Sequence, residues 1–154
     1  MKTMQKFILL AIVFATQAYA VVHSHSEMYC LDNKGNVAKE YTTETTSITA
    51  PHCVDVRYDD YPAGKHCIYK NSSISALSDR YNELRKTHLF LPSKLPQNKT
   101  QFYNKENAVE VIIEQPTSNQ IFIYLGFDGG EDSHLITYDE QTHTTTHTTC
   151  VVMP

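Results

Sequence analysis

Four cysteines, eight histidines and a set of lysines among aromatics are the residues of this 154-residue chain with chemistry to offer. The cysteines Cys30, Cys53, Cys67 and Cys150 include no Cys-x-x-Cys pair, the close spacing that a zinc-thiolate site uses. Two disulfides are therefore expected, with three pairings open. Asn71-Ser72-Ser73 and Asn98-Lys99-Thr100 fit the glycan-acceptor pattern. Cleavage after Ala20 would expose Val21-Val22-His23. Its amine, two amides and imidazole make a square-planar donor set suited to Cu(II) or Ni(II), with His25 nearby. The plainer expectation is a frayed tail, so no metal or cofactor is assigned. Lys86, Lys94, Lys99 and Lys105 surround Phe90, Phe102 and Tyr103. Such a group could stack bases and hold phosphates, or form a protein-binding face. No Gly-rich phosphate loop precedes a helix, and no nucleophile elbow is present.

Charge favours the protein-binding alternative. Residues 1–20 carry Lys2 and Lys6, the apolar run Phe7 to Ala15, and Ala18-Tyr19-Ala20. That is the pattern of a secretory signal peptide, too short in its apolar run to cross a bilayer. Secretion agrees with paired cysteines. Residues 21–154 are then one domain, without a further membrane span. Losing Lys2 and Lys6 leaves 11 basic against 17 acidic residues, a net charge of −6. An acidic body repels phosphate backbones, although histidine protonation toward pH 5 would offset it. With 41% hydrophobic residues, the chain can build one core.

The elements follow from periodicity. Residues 28–56 alternate weakly around the turn Asp32-Asn33-Lys34-Gly35-Asn36 and predict a β-hairpin. Arg57 to Lys65 reads as a turn-rich connector. Asn71, Ser72 and Ser73 offer N-caps for a helix whose apolar stripe is Ile74, Leu77, Tyr81 and Leu84. Residues 88–105 read as a long loop through Pro92 and Pro96. Strands follow at residues 109–114, 121–125 and 135–138, then a Thr-rich strand through Cys150 to Val152. Short turns between them imply an antiparallel sheet with the helix on one face. The class is α+β. In the last strand, His143 and His147 share a face with Thr145, in what reads as an exposed polar ladder. Glu114 reads as a solvent-facing edge-strand carboxylate.

The order of cysteine, helix, Pro-containing loop and successive strands closing on a last-strand cysteine resembles the small fungal guanyl-specific ribonucleases. More particularly, it resembles the RNase-like secreted effectors of powdery mildew fungi. The resemblance rests on Cys67-Ile68-Tyr69-Lys70-Asn71-Ser72-Ser73-Ile74-Ser75-Ala76, Leu91-Pro92-Ser93-Lys94-Leu95 and Glu114-Gln115-Pro116. Gln120-Ile121-Phe122-Ile123-Tyr124, His134-Leu135-Ile136-Thr137-Tyr138 and Cys150-Val151-Val152 complete it. It covers residues 67–152. It implies a Cys67–Cys150 bridge, leaving Cys30–Cys53 to staple the N-terminal hairpin.

The resemblance also implies a chemistry. Metal-free cleavage by the 2′-hydroxyl needs a base, an acid and a donor cluster for the pentavalent phosphate. Glu114, two residues before Pro116, matches the family's base. The family's Tyr-Pro-His segment appears as Leu91-Pro92-Ser93, its Arg position matches Asn119-Gln120, and its acid histidine falls near Tyr138 or Asp139. Three of four roles are vacant. The expectation is a secreted fungal effector with a ribonuclease-like fold that lacks the catalytic residues. It would act as a monomer in a plant host, outside or inside the cell, by binding host proteins, an immune receptor or host RNA. The alternatives are an active guanyl-type ribonuclease using Glu114 with His134 and His147, and a disulfide-stapled extracellular binding protein. In the first alternative His134 stands at the clamp, with His143 or His147 as acid.

Overall fold

The computed structural model describes residues 30–31, 41–47, 51–58 and 61–152. The expected leader at residues 1–20, His23, His25 and the expected turn at residues 32–36 lie outside the described residues. Strands β1 (Tyr41–Ser47), β2 (His52–Tyr58) and β3 (Tyr61–Tyr69) form one antiparallel meander. Helix α1 (Ser75–Thr87) follows, then β4 (Thr100–Asn104), β5 (Val109–Glu114), β6 (Gln120–Phe127), β7 (Gly130–Asp139) and β8 (Thr144–Val152). The strand order β1-β2-β3-β8-β7-β6-β5-β4 makes one antiparallel sheet with the two meanders joined at β3–β8. The expected α+β class, with one helix on an antiparallel sheet, is what forms.

That order forces the path of the helix. The chain leaves β3 in the middle of the sheet and must reach β4 at the far edge. Helix α1 and residues 88–99 make the crossing over one face, hereafter the helix face. Leu77 and Tyr81 are buried there with Val109, Val111, Ile113, Ile121, Ile123, Leu125 and Ile136. The Tyr81 hydroxyl donates to the Pro92 carbonyl at 2.9 Å, tying helix to crossing loop. On the opposite face Ile112, Phe122, Tyr124 and Leu135 pack with Cys30, Leu31, Val56 and Cys150. Two covered faces explain why β5 and β6 are nearly continuous apolar runs rather than strict alternations.

Several sequence expectations are corrected. The connector expected at residues 57–65 is mostly strand, because Pro62 sits where the β2–β3 register shifts, the position at which a sheet tolerates proline. The loop expected at 88–105 ends in the edge strand β4, whose Phe102 pairs with Val111 and packs on the core. Ile74 is half exposed and precedes the helix, and no side chain caps the first turn. Ser72 is drawn instead to Thr145, the two hydroxyls lying 2.6 Å apart. The Thr-rich β8 is an interior strand between β3 and β7 rather than an exposed ladder. Its buried hydroxyls find partners, Thr145 with Ser72 and Thr148 with the His66 ring at 2.7 Å.

The disulfides pair differently from the resemblance. The bridges are Cys30–Cys150 and Cys53–Cys67. Cys53 and Cys67 stand directly opposite each other on β2 and β3, whereas Cys67 pairs across β8 with His147, three residues from Cys150. An odd spacing of three in a strand puts Cys150 on the other face. Cys67 and Cys150 are therefore on opposite sides of the sheet and cannot join.

Candidate functional site

Residues directly opposite one another in a sheet share a face, so the register sorts the candidates. Glu114 pairs with Phe122 and Phe122 with Leu135, on the face away from the helix. His134 pairs with Ile123, which pairs with Ile113, on the helix face. His147 pairs with Ile136 on that same side. The structure thus brings His134 and His147 together, with His134 Nδ1 3.3 Å from His147 Nε2. It puts Glu114 on the other face, paired with Lys99. His143 sits in the β7–β8 turn with φ 50°, its ring near the Tyr138 hydroxyl. The set Glu114, His134 and His147 does not converge.

What converges instead is a four-residue cluster of His88, Asp132, His134 and His147, the first two of them absent from the expected site. Asp132 and His134 stand two apart on β7 and so share the helix face. His88 immediately follows α1. Its N–H donates to Leu84 O at 2.8 Å and its carbonyl accepts from Leu91 N at 3.0 Å. Those two bonds fix the backbone that carries its ring over β7. Asp132 Oδ1 lies 3.1 Å from His134 Nε2, and Asp132 Oδ2 lies 3.6 Å from His88 Nε2. The His88 and His134 ring centroids are 6.1 Å apart, and those of His134 and His147 5.4 Å. A signal for Asp132 and His134 existed in their i, i+2 spacing. A third strand expected at 135–138 leaves both residues outside it, so the shared face emerges only with the observed start at Gly130.

Burial disfavours protonation of two rings in this cluster. Burial pushes the His147 ring down to about 3, with the neighbouring His134 and Arg80 acting the same way. His88 is lowered by burial too, with Asp132 opposing. A neutral His147 shares one hydrogen bond with His134 between Nε2 and Nδ1, with the donor set by the tautomer. The His134 Nε2 atom faces Asp132. Arg80 does not fill the site, since its guanidinium lies 4.8 Å over the Tyr69 ring.

The lysine and aromatic group expected as one binding surface divides in the fold. Phe90 and Phe102 are partly buried against the core. Tyr103 is 60% exposed and faces the other side of β4. Lys86 pairs with Glu83 at 2.7 Å, and Lys99 pairs with Glu114. Lys94 and Lys105 are exposed on separate loops, as are the glycan-acceptor candidates Asn71 and Asn98. A different aromatic row was not foreseen. Tyr41, Tyr58 and Tyr61 stand side by side across β1, β2 and β3. The rings of Tyr41 and Tyr58 are 5.2 Å apart, and Tyr61 is 74% exposed.

No family model, curated protein or solved structure matches the chain. Among the described residues no helix is long and apolar enough to cross a membrane.

Proposed function

We propose that this chain is a secreted, disulfide-stapled binding protein of the effector kind that the sequence resemblance implies, acting by contact with a host plant protein and not as a guanyl-type ribonuclease. The observation that carries this reading is the separation of Glu114 from His134 and His147 by the thickness of the sheet. A base and an acid must flank the same phosphate, and these do not share a face. The helix-on-antiparallel-sheet order supports a ribonuclease-like scaffold, whereas the Cys53–Cys67 bridge departs from the family's pairing and supports the stapled-binder alternative.

Protein contact is favoured over RNA for two reasons. The mature chain is acidic, which weakens attraction to phosphates. In the row of Tyr41, Tyr58 and Tyr61, the exposed rings of Tyr58 and Tyr61 are of the amphipathic type enriched at protein interfaces, with Tyr41 partly buried against the core behind them. The refolded mature chain is expected to leave a short guanosine-containing RNA intact, at the same background as Glu114→Gln. Turnover that disappears in Glu114→Gln would overturn the reading. In capture from leaf extract, Tyr58→Ala/Tyr61→Ala should weaken the retained partner by roughly 30-fold. An unchanged partner affinity would remove the tyrosine row from the reading. Capture of RNA with a steep salt dependence would replace protein with nucleic acid as the target.

A further inference from the structure

We propose that His88, Asp132 and His134 form a Zn²⁺ site with three protein ligands and a fourth position open to solvent. The inference is independent of the partner-binding reading and rests on the cluster alone. One donor atom from each residue lies within 4.8 Å of the others, and the two Asp132 oxygens each face one ring, Oδ1 at 3.1 Å from His134 Nε2 and Oδ2 at 3.6 Å from His88 Nε2. Ligands at about 2.0–2.2 Å from a tetrahedral zinc stand about 3.3–3.6 Å from one another. The Asp132–His134 separation is already near that length, and an ion held there would draw the His88 ring inward from within 4.8 Å.

The second observation is that the buried donors are unsatisfied. His134 is 4% exposed, and neither its Nε2 nor Asp132 Oδ1 has a hydrogen-bond partner. The two atoms face each other at 3.1 Å without the alignment that a hydrogen bond requires. Burying such atoms unpaired costs about 1–3 kcal/mol each, so the arrangement is costly unless a third atom sits between them. A divalent cation meets both lone pairs at once.

The surroundings supply what a metal site needs beyond its ligands. His147 Nε2 lies 3.3 Å from His134 Nδ1, and in the tautomer with its proton on Nδ1, His134 donates to His147 and presents the Nε2 lone pair to the ion. This is the outer hydrogen bond that ligating histidines usually have. His88 is held by backbone hydrogen bonds at both its N–H and its carbonyl. The Asp132 carboxylate offsets one of the two ionic charges. Two imidazoles and one carboxylate, with every described cysteine bridged, favour Zn²⁺ over the oxygen-seeking Ca²⁺ and Mg²⁺. The side chains of His88 and Asp132 keep 21% and 18% of their surface exposed, so ion and water can enter. Three protein ligands with one accessible position is the pattern of zinc that binds an exchangeable oxygen ligand.

The test is calorimetric titration of Zn²⁺ into the oxidised mature chain after removal of adventitious metal, with Co²⁺ absorption as a readout of tetrahedral coordination. One equivalent of Zn²⁺ should bind, and Zn²⁺ should raise the thermal midpoint. His88→Gln, Asp132→Asn and His134→Gln should each lower the affinity by roughly 100-fold. His147→Gln should lower it by about tenfold with the stoichiometry kept. The paired substitution His23→Ala/His25→Ala should leave this equivalent intact, which separates it from the N-terminal donors. His134 is buried, so His88→Gln, which lies outside the sheet, carries the test by itself. A Kd weaker than about 100 µM, or binding that survives His88→Gln and Asp132→Asn unchanged, would overturn the proposal.

Discussion

For the buried titratable side chains, burial outweighs charge partners. Glu131 is the clearest case. It is 3% exposed on the face away from the helix, and burial pushes its carboxyl up to about 7. The Cys30 backbone and the Tyr124 hydroxyl oppose that shift in part. The folded chain therefore holds a proton that the unfolded chain releases between its ordinary value of 4.5 and about 7. Stability should fall as pH rises through that window, with a slope of up to about 1.4 kcal/mol per pH unit from this residue. His66, lowered by burial, acts in the opposite sense, since its stability contribution is lost as pH falls below 6.5. The difference between wild type and Glu131→Gln isolates the carboxyl. Denaturant unfolding should show the variant gaining stability over wild type from pH 5 to pH 8. A difference that does not change with pH would show that Glu131 is ionised throughout.

At the scale of elements, the β3–β8 junction joins the two meanders and depends on a close approach. A Cβ added at Gly64 would lie 1.9 Å from the Thr149 carbonyl oxygen, a backbone atom that cannot move without opening the ladder. Gly64 pairs with Cys150 in the register, beside the bulge that accommodates Pro62. Gly64→Ala should cost about 3 kcal/mol, the upper range for forcing extra volume into a packed site. Thermal unfolding with coincident far- and near-ultraviolet signals would measure it. A cost under about 0.5 kcal/mol, ordinary for a surface change, would mean that the strands are farther apart than described. The same junction explains the buried threonines of β8. An interior strand must satisfy its hydroxyls, and Ser72 and His66 do so from neighbouring elements.

For the whole molecule, the two bridges constrain different things. Cys53–Cys67 closes a local loop with a sequence separation of 14 and staples β2 to β3. Cys30–Cys150 spans a separation of 120 and ties the N-terminal segment with Leu31 onto the face away from the helix. In the chain-entropy account the shorter loop is worth about 3 kcal/mol and the longer one about 4.7 kcal/mol. Losing the longer bridge also frees Cys30 and Leu31 from the second core. Cys30→Ser/Cys150→Ser should therefore lower the unfolding midpoint more than Cys53→Ser/Cys67→Ser does. The reverse order would mean that the N-terminal segment contributes little to that core.

The sequence by itself determined the local pattern. The apolar spacing of Leu77, Tyr81 and Leu84 placed one helix, and the β-branched runs after residue 108 placed four strands, although β7 begins five residues before the expected start at 135. The number of disulfides followed from cysteine count and context. These are properties of short windows, where backbone preference and periodicity act alone. The tertiary structure decided everything that depends on which strands are neighbours. Strand order made β8 interior and buried Thr145, turned residues 61–65 into strand, and chose the cysteine partners. It also separated Glu114 from His134 and His147 and brought in His88 and Asp132. A strand's side chains change face at every residue, so a site on a sheet is defined by register between distant segments. Register is non-local, and no window of this sequence contains it.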